Sequence, residues 1–312
     1  MSTSKKPKIA ISGCLLGEEI RFDGQHKRHP HVVQESANLF EFQSFCPEVA
    51  MGLGIPRKPV RLVKKGKDVR LVDRADHSID HTDVAEKTFK GLESTLKGVS
   101  GIVLMAKSPS CGYDPIKVYD YKSGMPKEKG RGIWAQHVED NFPLIPKIDS
   151  GRLYDNHLRD TFRTQVLIYE RFHKDVKAPK DLVKFQQQYK YYFMQYGAVH
   201  MKRLGQICAG ISPKNKKEKI QEYGEYLFTT AFKKNITSKH RVNVAEHMAG
   251  HLKELLKKSD KRYLHDNIKA FRANKLSFES LITLIGFLVF SYEAEYLLDQ
   301  KILSLYSISD PR

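Results

Sequence analysis

Through residues 1–150 the apolar positions come in short runs that alternate with stretches of helical spacing. Lys8-Ile9-Ala10-Ile11-Ser12 and Phe40-Glu41-Phe42-Gln43-Ser44-Phe45 read as strands. Ile102-Val103-Leu104-Met105-Ala106 is a third, and its unbroken apolar run suits burial on both faces. Residues 60–63 and 68–72 flank Lys65-Gly66-Lys67, which predicts a hairpin. Val84, Phe89, Leu92 and Leu96 give residues 83–99 a helical period. A short helix is expected over 132–142, followed by the strand-like Leu144-Ile145-Pro146. Strands alternating with helices predict an α/β domain with a mainly parallel, Rossmann-like sheet.

After Asp149-Ser150-Gly151 the period changes. Leu158, Phe162, Val166, Leu167 and Tyr169 share a helical face within 156–171, and Lys177-Ala178-Pro179-Lys180 reads as a linker. Beyond it, helical spacing runs through 181–209, 214–234, 238–259, 261–272 and 277–306, with breakers at Ser212-Pro213, Asn235 and Asn274. The expected organisation is an α/β domain over residues 1–175 and an all-α domain over 176–312.

Composition narrows the class. Hydrophobic residues make up 40% and charged residues 29%, which argues against wholesale disorder. The longest apolar run, 281–290, is half of the roughly 20 residues that cross a bilayer. The first residues lack the apolar segment of a secretory signal, so a cytoplasmic protein is expected, away from membranes. Net charge changes the picture most. The chain carries 53 Lys+Arg against 36 Asp+Glu, and residues 161–275 alone hold 25 against 10. Such an excess predicts a polyanionic partner, nucleic acid above all.

Four cysteines remain as candidate chemistry, and with a reducing compartment they are expected to be unpaired. Cys14, Cys46 and Cys111 each fall just past the carboxyl end of a predicted strand, where open α/β sheets build their sites. Neighbouring parallel strands would bring the three to one edge. Gly13, Pro47, Pro109 and Gly112 mark irregular turns that present side chains. By themselves these residues leave three readings open: unrelated core cysteines, zinc on three thiolates, or a [4Fe–4S] cluster with one iron lacking a protein ligand. Cys208 reads as a core residue. Glu48 could serve as a general base or acid beside a bound metal centre. Arg21, Asp23 and Arg57 are candidates for binding a polar ring, as are Lys107 and Ser110 beside Cys111, where Ser108 also lies.

Ser12-Gly13-Cys14-Leu15-Leu16-Gly17, Arg21-Phe22-Asp23-Gly24, Cys46-Pro47-Glu48-Val49, Ile55-Pro56-Arg57 and Lys107-Ser108-Pro109-Ser110-Cys111-Gly112 resemble the thiouracil desulfidase family over roughly residues 7–150. The resemblance implies a [4Fe–4S] cluster on Cys14, Cys46 and Cys111 and replacement of a thiouracil's sulfur by oxygen. It further implies Glu48 and Ser108 as catalytic residues. The second half resembles a helical domain of unknown function often fused to this desulfidase. The matching segments are Leu182-Val183-Lys184-Phe185, Tyr189-Lys190, Arg203-Leu204-Gly205, Asn243-Val244 with His247-Met248, and Tyr296-Leu297-Leu298-Asp299-Gln300. Where many relatives carry histidines after Val183-Lys184-Phe185, this chain has Gln186 and Tyr189.

Such fusions imply removal of sulfur from 4-thiouridine in bacterial tRNA. Lys202, Arg203, Lys216, Lys217, Lys233, Lys234, Lys239 and Arg241 are then the expected phosphate contacts, and Tyr189, Tyr191, Tyr192 and Tyr196 could stack on bases. A monomer or weak homo-oligomer is expected. The alternatives are a desulfidase of free thiouracil or thio-nucleotides, and a non-catalytic RNA-binding iron–sulfur protein.

Overall fold

The computed structural model describes residues 6–36 and 38–305, apart from the side chains of Val33 and Glu35. The chain divides into two units, 1–170 and 171–312. The first runs β1 (Lys8–Ser12), β2 (Glu41–Phe45), α1 (Pro47–Ala50), β3 (Val60–Lys65), β4 (Asp68–Asp73), α2 (Thr82–Leu92), β5 (Gly101–Leu104), β6 (Ile116–Asp120), β7 (Pro126–Gly130), α3 (Ile133–Asn141) and β8 (Lys147–Asp149). It closes on α4 (Asn156–Asp175), whose last turn crosses the division.

Strands β2, β1, β5 and β8 form, in that order, an all-parallel sheet. Period-two alternation sends side chains to two buried faces. Ala10, Ile102 and Leu104 join Phe89 of α2 and Trp134 and Val138 of α3 on one face. Ile9, Ile11, Val103 and Ile148 meet Phe162 and Val166 of α4 on the other. Both faces covered by helices is what a parallel sheet requires. The α/β expectation holds.

Several boundaries differ. The last strand starts at Lys147 rather than in Leu144-Ile145-Pro146. Proline has no N–H for the ladder, and the Pro146 carbonyl instead accepts from Ile102 N–H at 2.9 Å. Within α2, Val84 is exposed, while Ala85, Phe89 and Leu92 turn inward. The expected hairpin is β3–β4, but it belongs to a second sheet of order β4-β3-β6-β7. Strands β6 and β7 are absent from the expected elements because β7 has no apolar residue and β6 buries only Val118.

The second unit is helical throughout: α5 (Pro179–Met194), α6 (Ala198–Ala209), α7 (Lys216–Tyr226), α8 (Ser238–Leu252), α9 (Lys258–Arg272), α10 (Phe278–Ser291), α11 (Glu295–Leu298) and α12 (Lys301–Leu305). The helix expected over 181–209 is two helices. Gly197 breaks it at φ +118°, a conformation open to glycine alone. The span 277–306 is three helices, broken where Glu293 takes φ +49°, and Tyr306 lies outside the described residues. Tyr189, Tyr191, Tyr192 and Tyr196 are buried, so none can stack on a base. They serve the core: the Tyr192 and Tyr196 hydroxyls bond each other at 3.2 Å, and the Tyr196 ring lies 5.0 Å from Phe232. No helix among the described residues is long and apolar enough to cross a membrane.

Candidate active site

Strands β2, β1 and β5 are consecutive in the sheet, and the chain leaves the carboxyl end of each into a cysteine-bearing loop. Cys14 lies in a 3-10 turn two residues past β1, and Cys46 is the residue between β2 and α1. Cys111 lies within the longer loop between β5 and β6. All three thiols are free and line one cavity of about 590 Å³. The strand order reverses about β1, the kind of place where doubly wound folds open a crevice.

The Cys111 loop is held by α3. The first backbone donors of that helix are satisfied by the loop: Ile133 N–H by the Pro109 carbonyl at 3.0 Å, and Trp134 and Ala135 N–H by the Ser110 carbonyl at 3.0 and 3.2 Å. Gly132 and Gly112 make this approach possible. A Cβ on Gly132 would stand 2.5 Å from the Ser110 carbonyl oxygen, and one on Gly112 would stand 2.7 Å from that of Ser108.

Glu48, in the short α1, is gripped from two sides. Arg57 donates to its Oε2 from Nε at 2.9 Å and Nη2 at 2.7 Å, and Ser110 Oγ donates to its Oε1 at 2.9 Å. Arg57 Nη1 donates to the Ile20 and Gly54 carbonyls at 3.0 and 3.1 Å. The Arg57 side chain is only 4% exposed. Its guanidinium therefore aims the carboxylate. Ser110 is fully buried and lies off the cavity wall, unlike a ring-binding residue. Ser108 Oγ lines the cavity and accepts from Ser110 and Cys111 N–H at 3.2 and 3.0 Å. Accepting twice leaves the hydroxyl hydrogen available to a ligand.

Arg21 and Lys107 line the cavity. Asp23 does not: it pairs with Arg21 at 3.3 Å, and its Oδ1 accepts from Gln25 N–H. Lys27, His29, Arg74 and Tyr154 also line the wall and were not among the expected site residues. The run His26-Lys27-Arg28-His29 carries a legible basic signal. Arg74 carries none, since it follows β4 of the second sheet.

The electrostatics suit a cationic iron group. Burial pushes all three thiols up, Cys14 to about 11 and Cys111 well above its ordinary value. The charge of Cys46 raises both Cys14 and Cys111 further, as it must for neighbours. Backbone N–H groups of Val49 and Glu48 oppose burial at Cys46, and the Ser12 hydroxyl does so at Cys111. Among the described residues no group of three His, Cys, Asp or Glu side chains is arranged to hold a single metal ion. A [4Fe–4S] cluster asks for something different, since three of its irons take one thiolate each and no single metal ion gathers all three. Three free, mutually coupled thiols around one cavity fit that group better than they fit zinc.

Residues 9–150 match the family 2-thiouracil desulfurase, and residues 190–307 match a protein family of unknown function, DUF1722. Residues 9–150 form a 2-thiouracil desulfurase domain. It contains every cavity residue named above except Tyr154. A solved structure of a [4Fe-4S]-dependent thiouracil desulfidase, TudS, is 28% identical, covering 49% of this chain and 97% of its own, with a TM-score of 0.39. No curated protein matches the chain.

Outside the desulfurase domain, Lys202, Lys216, Lys217, Lys233, Lys234 and Lys239 are exposed. Arg203 is exposed and pairs with Glu222 at 2.8 Å. Arg241 is half-buried: its guanidinium stacks 4.6 Å over Phe278 and its Nε donates to Gln195 Oε1. It supports the helical core. Cys208 is buried, as a core residue should be.

Proposed function

We propose that this protein converts 4-thiouridine in tRNA to uridine, releasing hydrosulfide without net redox change, with a [4Fe–4S] cluster on Cys14, Cys46 and Cys111. The observation that carries the proposal is the convergence of three free thiols, from three neighbouring parallel strands, on a cavity that also holds Glu48. When bound, the cluster supplies an iron without a protein ligand, a Lewis acid suited to the departing sulfur.

The chain's own residues handle the water and its protons. Glu48 is oriented by Arg57 and Ser110, and its carboxylate takes a proton from the water that attacks the ring carbon. The water oxygen becomes the carbonyl oxygen once it has lost both protons, one passing through Glu48 to the leaving sulfur to give hydrosulfide and the other released to solvent. Ser108 donates its free hydroxyl hydrogen to the pyrimidine as charge develops on it.

The lining favours a phosphorylated substrate over a bare base. Arg21, Lys27, Arg57, Arg74 and Lys107 face the cavity against Glu48 as its acidic residue. Lys27, Arg74 and Lys107 form no ion pair among the described residues. A neutral thiouracil has no use for three such cations, whereas a phosphodiester does. The exposed lysines of residues 171–312 extend the same argument to a folded RNA, and extruding one base costs a few kcal/mol that such contacts can offset.

Anaerobic reconstitution with iron and sulfide, followed by addition of thiolated tRNA, tests the reading. Loss of the 4-thiouridine absorption with hydrosulfide release, abolished in Cys111→Ala, is the expected result. A persistent band with consumption of free 2-thiouracil would make it a free-base desulfidase. A persistent band with normal tRNA binding would make it a binding protein.

A further inference from the structure

In the second unit, α8 carries a polar depression of about 420 Å³, lined by Asn243, Glu246, His247, Gly250 and His251. These positions recur at three- and four-residue steps, so they form one stripe on one face of the helix. Its size falls within the roughly 300–1,000 Å³ range of small-ligand clefts. Glu246 is neutralised by Arg272 of α9 at 2.5 Å. The His251 ring stacks on Tyr296 of α11 with centroids 4.7 Å apart, and both rings are exposed at one edge of the depression. Lys190 of α5 donates to the Tyr296 hydroxyl at 3.4 Å and lies over its ring. Burial, with the charges of Lys190 and His247, lowers the His251 pKa, so this ring is a neutral aromatic at pH 7.

Gly250 stands out. Glycine is the poorest ordinary helix former after proline, yet a Cβ here would meet nothing within 4 Å. The protein's own packing gives no reason for a glycine on this stripe. Its effect is to keep the floor of the depression open for something that approaches closely.

We propose that this depression takes one unpaired nucleotide of RNA, its base stacking with the His251–Tyr296 ring pair and its edge hydrogen-bonded by Asn243 and His247. The inference rests on the reading that the protein binds tRNA, and it adds a base-contacting site to the phosphate contacts of the lysines. Aromatic stacking with polar edge contacts is how unpaired bases are held, and Lys190 beside the His251–Tyr296 pair suits the attached backbone. Two imidazoles one turn apart also suit a divalent metal ion. The ammonium of Lys190 close to His251 disfavours that occupant, as does the lack of a three-donor group among the described residues.

The test is tRNA affinity of the full chain, read by fluorescence anisotropy against salt. Gly250→Leu fills the depression with a better helix former and should leave the melting temperature unchanged or raised. His247→Ala removes an exposed edge contact. Each is expected to weaken tRNA binding about tenfold, the size of one lost base contact. The slope of log K against log salt should stay at its wild-type value, because no phosphate contact is removed. Gly250→Leu binding tRNA as tightly as the wild type would overturn the site. So would Zn²⁺ binding lost in His247→Ala with tRNA affinity intact. Absence of tRNA binding by the wild type would instead remove the underlying reading, and the site with it.

Discussion

At Arg57 every guanidinium nitrogen has a partner inside the fold: Nε and Nη2 hold Glu48, and Nη1 holds two backbone carbonyls. The sequence placed Arg57 among ring-binding residues, but its geometry makes it the residue that positions Glu48. Arg57→Lys keeps the charge and loses the planar fork. It is expected to lower turnover about 100-fold through misplacement of the carboxylate, with KM and iron content near wild type. Steady-state kinetics beside an iron assay checks this, and a rise in KM alone would return Arg57 to substrate binding. The thiols give a pH prediction. Burial raises all three, so they are protonated at neutral pH. Iron binds thiolates, and loading therefore releases protons and goes further as pH rises. Iron incorporation should be higher at about pH 8.5 than at about pH 7.

At the scale of elements, the contact between the Cys111 loop and α3 decides whether the third thiol reaches the cavity. Gly132→Ala would drive a methyl into the Ser110 carbonyl, with backbone on both sides and no flexible atom to yield. The expected outcome is loss of iron loading, with far-ultraviolet circular dichroism retained. Gly197→Ala belongs to the same scale: at φ +118° a side chain costs about 1–3 kcal/mol. Chemical denaturation should show that loss for the α5–α6 junction. Neither glycine was legible beforehand. A glycine's neighbours are set by which elements pack on it, and the period of a sequence says nothing about that. Strand β7 escaped for a related reason, since it is an exposed polar edge that only its pairing with β6 makes a strand.

For the whole molecule, charge is the property on which the proposed RNA partner rests. Residues 161–275 hold 25 basic and 10 acidic residues. Exposed lysines in this region are expected to bind phosphates without regard to sequence. Replacing Lys216 and Lys217 by alanine should weaken tRNA binding and reduce the log K–log salt slope by about 2, one unit for each lost phosphate contact. A slope unchanged in the double variant would move the RNA elsewhere on the surface. The contrast with Arg241 is instructive: in sequence it is one more cation, while in the fold it stacks on Phe278.

The one-dimensional pattern determined the α/β and all-α halves, the three cysteine loops and the basic character of the second half. These depend on local periodicity, on residue type after a strand, and on counting charge. Tertiary structure alone decided that β2, β1 and β5 are neighbours, that Arg57 and Ser110 grip Glu48, and that Asp23 and Ser110 lie off the cavity wall. It likewise turned four tyrosines inward and left Gly250 open on α8. Contacts between residues distant in sequence arise from how elements pack, and side-chain type constrains that packing without specifying which neighbour fills it.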